Sequence, residues 1–245
     1  MQVLLTIAYD GTDYAGWQRQ DNALTIQEVL ENALFKLYKT PCPLKAASRT
    51  DAGVHAYGQR ASFFVEKQNI PLKKLPIVIN SLLPNNIAVR EAVIVPNDFN
   101  PRFCAIKKTY EYKIQNSTNP LTRRYCAYEP RDLNINLMQE AAGYFIGEHD
   151  FTAFKATGGS TKTSIRTIYD CNIQAKDDIT TISVTGNGFL YNMVRIIAGT
   201  LLYVGLYKIP PKEVANIILS KDRKMAGKTM PPEGLVLVKV FYTSE

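Results

Sequence analysis

The hydrophobic period of this chain switches between two and 3.6 residues in a fixed order, and that order restricts the available folds more than any single residue does. From Gln2 to Tyr9, Val3, Leu5, Ile7 and Tyr9 alternate with Leu4, Thr6 and Ala8. Both faces are largely apolar, which predicts a central strand. From Thr25 the period changes: Ile26, Val29, Leu30, Ala33, Leu34, Leu37 and Tyr38 fall on one helical stripe. Thr25 and Glu28 are spaced as a capping box, and Pro41 follows the helix. Next come a short apolar segment at Leu44 to Ala47, a polar loop SRTDAGVHAYG and an alternating strand from Gln59 to Val65. A helix weakened by Pro76 is expected between Pro71 and Leu83, and a strand at Ile87 to Val95. This part of the chain spells β-α-β-β-α-β, the split βαβ order of a ferredoxin-like fold.

A turn-rich segment, VPNDFNPRF, separates this series from a second one that opens with Tyr110, Tyr112 and Ile114 alternating against Thr109, Glu111 and Lys113. The boundary is expected near Arg102, giving domains 1–102 and 103–245. The second series continues with a helix from about Asn136 to Ile146 and strands near Ile168 to Ile173 and Thr180 to Gly186. Helices from Tyr191 and from Pro211 follow, then a final strand from Leu235 to Tyr242. The expected fold class is therefore α+β: two similar ferredoxin-like halves with mainly antiparallel sheets and a basic cleft between them, a location that favours ligands.

Composition narrows the function. A chain of 245 residues with 46% apolar and 21% charged residues has the makings of a packed core and not of a disordered segment. Twenty-nine basic against 22 acidic residues leave a net charge of +7, a field that attracts polyanions without selecting among them. The longest nearly uncharged apolar stretch, Met193 to Leu206, contains Arg195 and falls short of the roughly 20 residues a spanning helix needs. The opening MQVLLTIAYD has no basic start and no small-residue cleavage site, so a cytoplasmic protein without a membrane partner is expected. Cys42, Cys104, Cys126 and Cys171 form no CxxC pair, and the histidines are His55 and His149 alone. Reduced structural thiols are expected, with no metal held through sulfur or imidazole.

Five groups of residues could carry chemistry. In ASRTDAGVHAYGQ, Arg49 and Asp51 stand two apart with Gly53 just after. A sharp turn at the glycine would let both project into one cleft, the guanidinium favouring the ionised carboxylate; the competing reading is an Asx-turn or helix cap with Arg49 in solvent. Arg195 sits in the helix MVRIIAGTLLYVGL, whose apolar residues occupy almost every face, so its charge needs a partner unless the side chain snorkels to the surface. In KKTYEYKI, Lys107 and Lys108 precede Tyr110, a pattern suited to phosphate contact and base stacking or simply to a core strand. Arg19 in YDGTDYAGWQRQ, and Lys224 and Lys228 in DRKMAGKT, could contact a polyanion backbone or be only a solvated face. Asp10, Asp13 and Asp51 would suit magnesium in a nuclease, although turn formation also explains the first two.

Taken in order, YDGTDYAGWQRQ, SRTDAGVHAYGQ, FNPRFCAIKKTYEYKI, FLYNMVRIIAGTL and DRKMAGKTMPPEGLVL resemble the motifs of the tRNA pseudouridine synthase A family, TruA, across essentially the whole chain. The resemblance implies conversion of uridine to pseudouridine at positions 38, 39 and 40 of the tRNA anticodon stem-loop, without a cofactor or metal and by a homodimer. It implies that Asp51 is the catalytic aspartate, that Arg49 handles the flipped nucleotide, and that Tyr110 stacks on the target uracil. It further implies that Arg195 pairs with the catalytic carboxylate and that Leu235 packs against the base. Ser48 departs from the glycine common in the family before RTDAG. Two other classes, a magnesium-dependent endoribonuclease and a non-catalytic RNA-binding protein, leave the joint presence of Arg49, Asp51, Tyr110 and Arg195 unexplained.

Overall fold

The computed structural model describes residues 1–67, 69–159 and 161–243. In chain order the elements begin with β1 (Gln2–Tyr9), α1 (Ile26–Tyr38), β2 (Lys45–Ala46), β3 (His55–Phe64), α2 (Leu75–Asn80) and β4 (Ile87–Val95). They continue with β5 (Lys107–Gln115), β6 (Ala127–Tyr128), α3 (Ile135–Gly143), β7 (Gly147–Asp150), β8 (Ile165–Lys176) and β9 (Ile179–Gly186). The last three are α4 (Met193–Gly205), α5 (Glu213–Ser220) and β10 (Leu235–Phe241). The architecture is α+β with mostly antiparallel sheet pairing, and the chain divides into two compact units, residues 1–106 with 236–245, and residues 107–235. No helix among the described residues is long and apolar enough to cross a membrane.

In the first unit β1 lies between β4 and β3, antiparallel to both. Val3, Leu5 and Ile7 are fully buried, as a strand that is apolar on both faces requires. The outer edge of β3 is shared. β2 pairs with Ala61 and Ser62, while β10 runs parallel to β3 at His55 and Ala56. The order β4-β1-β3-β2 is the split βαβ arrangement, with the antiparallel β3 inserted between the parallel β1 and β2. Helix α1 starts where its cap predicts, Thr25 Oγ1 accepting from the Glu28 amide at 3.4 Å, and buries Ile26, Leu30, Ala33 and Leu34 at i, i+4, i+7 and i+8. Pro76 occupies the first turn of α2, where its missing amide has no intrahelical partner to lose, and a 3-10 turn over Leu72–Lys74 leads into it.

The second unit repeats the theme. β9 is antiparallel to β5 on one side and to β8 on the other, so β5 and β8 are parallel with β9 between them. β7 extends the sheet beyond β8, and β6 runs parallel to β5 at Ile114 and Gln115. The core holds Tyr112, Phe145, Phe151, Phe154, Ile182, Val184 and the apolar body of α4. Phe145 and Phe154 meet edge to face at 5.1 Å. Where the sequence suggests a division near Arg102 and a closing strand within 103–245, the compact units divide after Ile106, and residues 236–245 group with the first because β10 pairs with β3.

Candidate active site

Asp51 stands on a loop whose backbone is held from several directions by the first motif of the chain. The Trp17 amide donates to the Thr50 carbonyl at 3.0 Å, and the Gly53 amide to the Tyr14 carbonyl at 3.3 Å. Tyr9 and Thr50 join their hydroxyls at 2.7 Å. A turn closes between the Asp51 carbonyl and the Val54 amide at 3.1 Å, with Gly53 at φ 77° supplying the left-handed residue that the sequence suggests there. Gly16 lies so close that a β-carbon on it would stand 2.7 Å from the Thr50 carbonyl oxygen. The carboxylate-bearing residue is half-buried and Arg49 beside it is exposed. Behind the loop Gln59, fully buried, exchanges two hydrogen bonds with the main chain of Ser48, donating at 2.8 Å and accepting at 3.3 Å.

This clamp explains YDGTDYAGWQ, whose acids the sequence leaves open to two readings. Asp10 forms a turn, its Oδ1 accepting from the Thr12 amide at 3.0 Å and the Thr12 hydroxyl at 2.6 Å, and the same oxygen lies 3.2 Å from His55 Nδ1. The Gly11 amide donates to that ring nitrogen at 3.1 Å. Asp10, Asp13 and Asp51 do not gather as a cation site: among the described residues no three His, Cys, Asp or Glu side chains are placed to hold a metal ion. Trp17, 1% exposed, is a core residue bracing the loop.

In the second unit Lys108, Tyr110, Tyr112 and Ile114 share the buried face of β5, whereas Lys107 and Thr109 are half-exposed. The two lysines of KKTYEY thus lie on opposite faces, with Lys108 only 9% exposed. The Tyr110 ring meets Phe189 edge to face, centroids 5.1 Å apart, so its plane is fixed by packing. Phe189, from FLYNMVR, falls in a loop before α4, where periodicity could not single it out as the partner of Tyr110.

Arg195 lies in the first turn of α4, among 11 buried residues of 13 in that helix. A cation there meets the positive end of the helix dipole and so requires strong acceptors. It has them: Nε donates to the Met230 carbonyl at 2.6 Å, and a terminal guanidinium nitrogen donates to Asn192 Oδ1 at 2.7 Å. Asn192 is the N-cap residue, held at φ 59°, yet its side chain caps no backbone amide and serves the guanidinium instead. The helix forgoes a cap worth about 1 kcal/mol and accepts left-handed strain to hold Arg195.

Leu235, 7% exposed, opens β10 directly after a 3-10 turn over Pro232–Gly234. The Tyr112 hydroxyl donates to the Pro231 carbonyl at 2.8 Å just before that turn, and burial raises the Tyr112 phenol far above its ordinary pKa, with nearby Glu233 adding to the rise. Lys224 and Lys228 are exposed. Arg19 is exposed too, but lies 3.3 Å from Glu31 and 3.8 Å from Glu28 on α1.

Over residues 5–104 and 141–243 the sequence matches the family described as tRNA pseudouridine synthase. Proteins named tRNA pseudouridine synthase A from Ruminiclostridium cellulolyticum and Thermoanaerobacter sp. are 49% and 50% identical to it over 245 and 242 residues, in each case with 98% of this chain and 99% of the relative covered. One from Geotalea uraniireducens is 46% identical over 243 residues with the same coverage. The chain belongs to this family, and within it to the tRNA pseudouridine synthase A group, TruA, that its five ordered motifs resemble.

Proposed function

We propose that this chain isomerises uridine to pseudouridine at positions 38, 39 and 40 of the tRNA anticodon stem-loop, with Asp51 as the catalytic carboxylate and without a cofactor. Uridine-to-pseudouridine conversion in tRNA is the activity of the family to which the chain belongs. The reaction breaks the bond between ribose C1′ and uracil N1, turns the base, joins C5 to C1′, and balances the proton lost from C5 with one gained at N1. Asp51 acts as a carboxylate in each available route, whether it attacks the sugar, attacks the ring or removes a proton from the sugar. The observation that carries this role is the clamp on its loop: a reacting group needs a fixed backbone, and Thr50, Asp51 and Gly53 are each tied by main-chain bonds.

A base inside a stem cannot be reached without extrusion, at a cost of a few kcal/mol. Stacking on Tyr110, worth about 1–3 kcal/mol, offsets much of that cost. Leu235 packs against the base, Arg49 holds the flipped nucleotide, and Arg195 provides positive charge that favours the ionised carboxylate. Lys224 and Lys228 are exposed and suited to the RNA backbone, as is Lys107; Lys108 and Arg19 join them in the proposed set, the first with little exposure and the second already facing two glutamates. The working form in this proposal is a cytoplasmic homodimer.

The test is to map pseudouridine in anticodon-arm tRNAs carrying a single uridine at position 38, 39 or 40. Conversion at all three is expected; conversion only elsewhere in the tRNA overturns the assignment. Tyr110→Phe separates two roles of the tyrosine. A normal yield assigns the ring to stacking, and a lost yield assigns the hydroxyl to proton transfer.

A further inference from the structure

Between Arg223 and Pro231 the chain forms a strap docked on α4 and β5. At its centre the backbones of two helix and loop glycines meet. A β-carbon at Gly199 would overlap the Lys228 carbonyl, and one at Gly227 would overlap the Gly199 carbonyl carbon and the Thr200 nitrogen. The Gly227 amide, buried by this approach, donates to Thr200 Oγ1 at 2.9 Å, and that hydroxyl donates in turn to the Ile196 carbonyl at 2.9 Å. Thr200 is wholly buried. Arg223 closes the loop from its other side, donating to the Gly227 carbonyl at 2.9 Å and to Thr229 Oγ1 at 3.0 Å.

The far end of the strap carries the functional consequence. Met230 accepts from Arg195 Nε, and its own amide donates to the Arg195 carbonyl at 3.2 Å. The next residue, Pro231, accepts from Tyr112, which shares the buried face of β5 with Tyr110. The direction of the Arg195 guanidinium therefore depends on where Met230 lies, and Met230 lies three residues beyond the Gly227 docking point. The Thr200 hydroxyl is donor and acceptor on one atom and so satisfies the helix carbonyl and the loop amide together.

We infer that Thr200 is a positioning residue for the isomerisation: its hydroxyl seats the strap on α4 and thereby aims Arg195. This rests on the proposed role of Arg195 at the reacting nucleotide. Because Thr200 is wholly buried, it does not bind RNA directly, and its effect belongs in kcat and not in KM.

Thr200→Val keeps the shape and removes the acceptor. The expected result, with the variant folded by circular dichroism at the assay temperature, is kcat reduced about ten- to a hundredfold at unchanged KM for tRNA, and restored by Thr200→Ser. An unchanged kcat, or a loss that serine does not restore, overturns the inference. In an Arg195→Lys background Thr200→Val adds little further loss; a full additional loss shows that Thr200 acts elsewhere and also overturns it. Arg195→Lys alone separates the two levels. If it keeps full kcat, the role of Arg195 fails; if it loses kcat while Thr200→Val does not, only the positioning by Thr200 fails. Should the valine variant be unfolded at the assay temperature, Arg223→Gln loosens the same loop, with the same kcat loss expected and an unchanged kcat contradicting the inference.

Discussion

Arg195 and Met230, 35 residues apart in sequence, bind each other twice: the guanidinium Nε of one donates to the carbonyl of the other at 2.6 Å, and the amide of the second returns a bond to the first at 3.2 Å. A charged side chain at the positive end of a buried helix is thus converted from a liability into a fixed feature of the second unit. Hydrogen bonds to a charged group contribute about 1.5–3 kcal/mol each. Arg195→Ala removes two and leaves both acceptors facing a void, so the melting temperature is expected to fall by roughly 6–24 °C. An unchanged melting temperature contradicts this account of the residue.

Gly16 sets the corresponding constraint in the first unit. Its φ of +91° and the nearness of the Thr50 carbonyl leave no room for a β-carbon. Gly16→Ala should cost about 1–2 kcal/mol from backbone strain alone, and should also displace the Asp51 loop. The expected result is reduced turnover with RNA affinity retained, read by single-turnover kinetics beside a filter-binding assay. Normal turnover at full stability would show that the loop does not need this clamp.

How much of this was legible in the sequence depends on how local each feature is. β1 and β4 begin and end where their alternation does, and α1 follows its cap, because those signals lie within the elements themselves. β3 starts at His55 and not at Gln59, since the loop residues there find partners in β10, far along the chain. β6, two residues long, and β7, the polar run GEHD, have no period to read and exist through pairing with β5 and β8. Within the candidate site the residue types stand out, but their supports do not. Nothing in GWQ announces a brace for RTDAG, and nothing in AGK announces a seat against Gly199.

Acid should weaken the second unit through Glu129. This carboxylate is 5% exposed, and its pKa is lowered chiefly by the hydrogen bonds from Arg131, at 2.6 and 2.8 Å, with Lys228 adding a smaller Coulomb contribution. A lowered folded-state pKa means stabilisation that is complete above the unfolded value of about 4.3 and lost as pH falls through the folded value. Thermal melts from pH 6 downward should show wild type losing stability below about pH 4.3 more steeply than Glu129→Gln. Parallel curves contradict the pairing.

Affinity for tRNA should fall with salt, since basic residues displace counterions from phosphate. Lys224→Ala and Lys228→Ala, both at exposed positions of the strap, are each expected to lower the slope of log K against log salt by about one and to weaken binding across tRNA sequences alike. A slope equal to wild type removes that lysine from the proposed interface.

The central claim is that Asp51 drives a metal-independent isomerisation of uridine. Its most direct measurement is release of tritium from anticodon-arm tRNA labelled at uracil C5, comparing wild type with Asp51→Asn in EDTA. Release by wild type alone, with Asp51→Asn folded and still binding tRNA, is the predicted result. Equal release by Asp51→Asn, or no release by wild type while RNA is bound and intact, contradicts it.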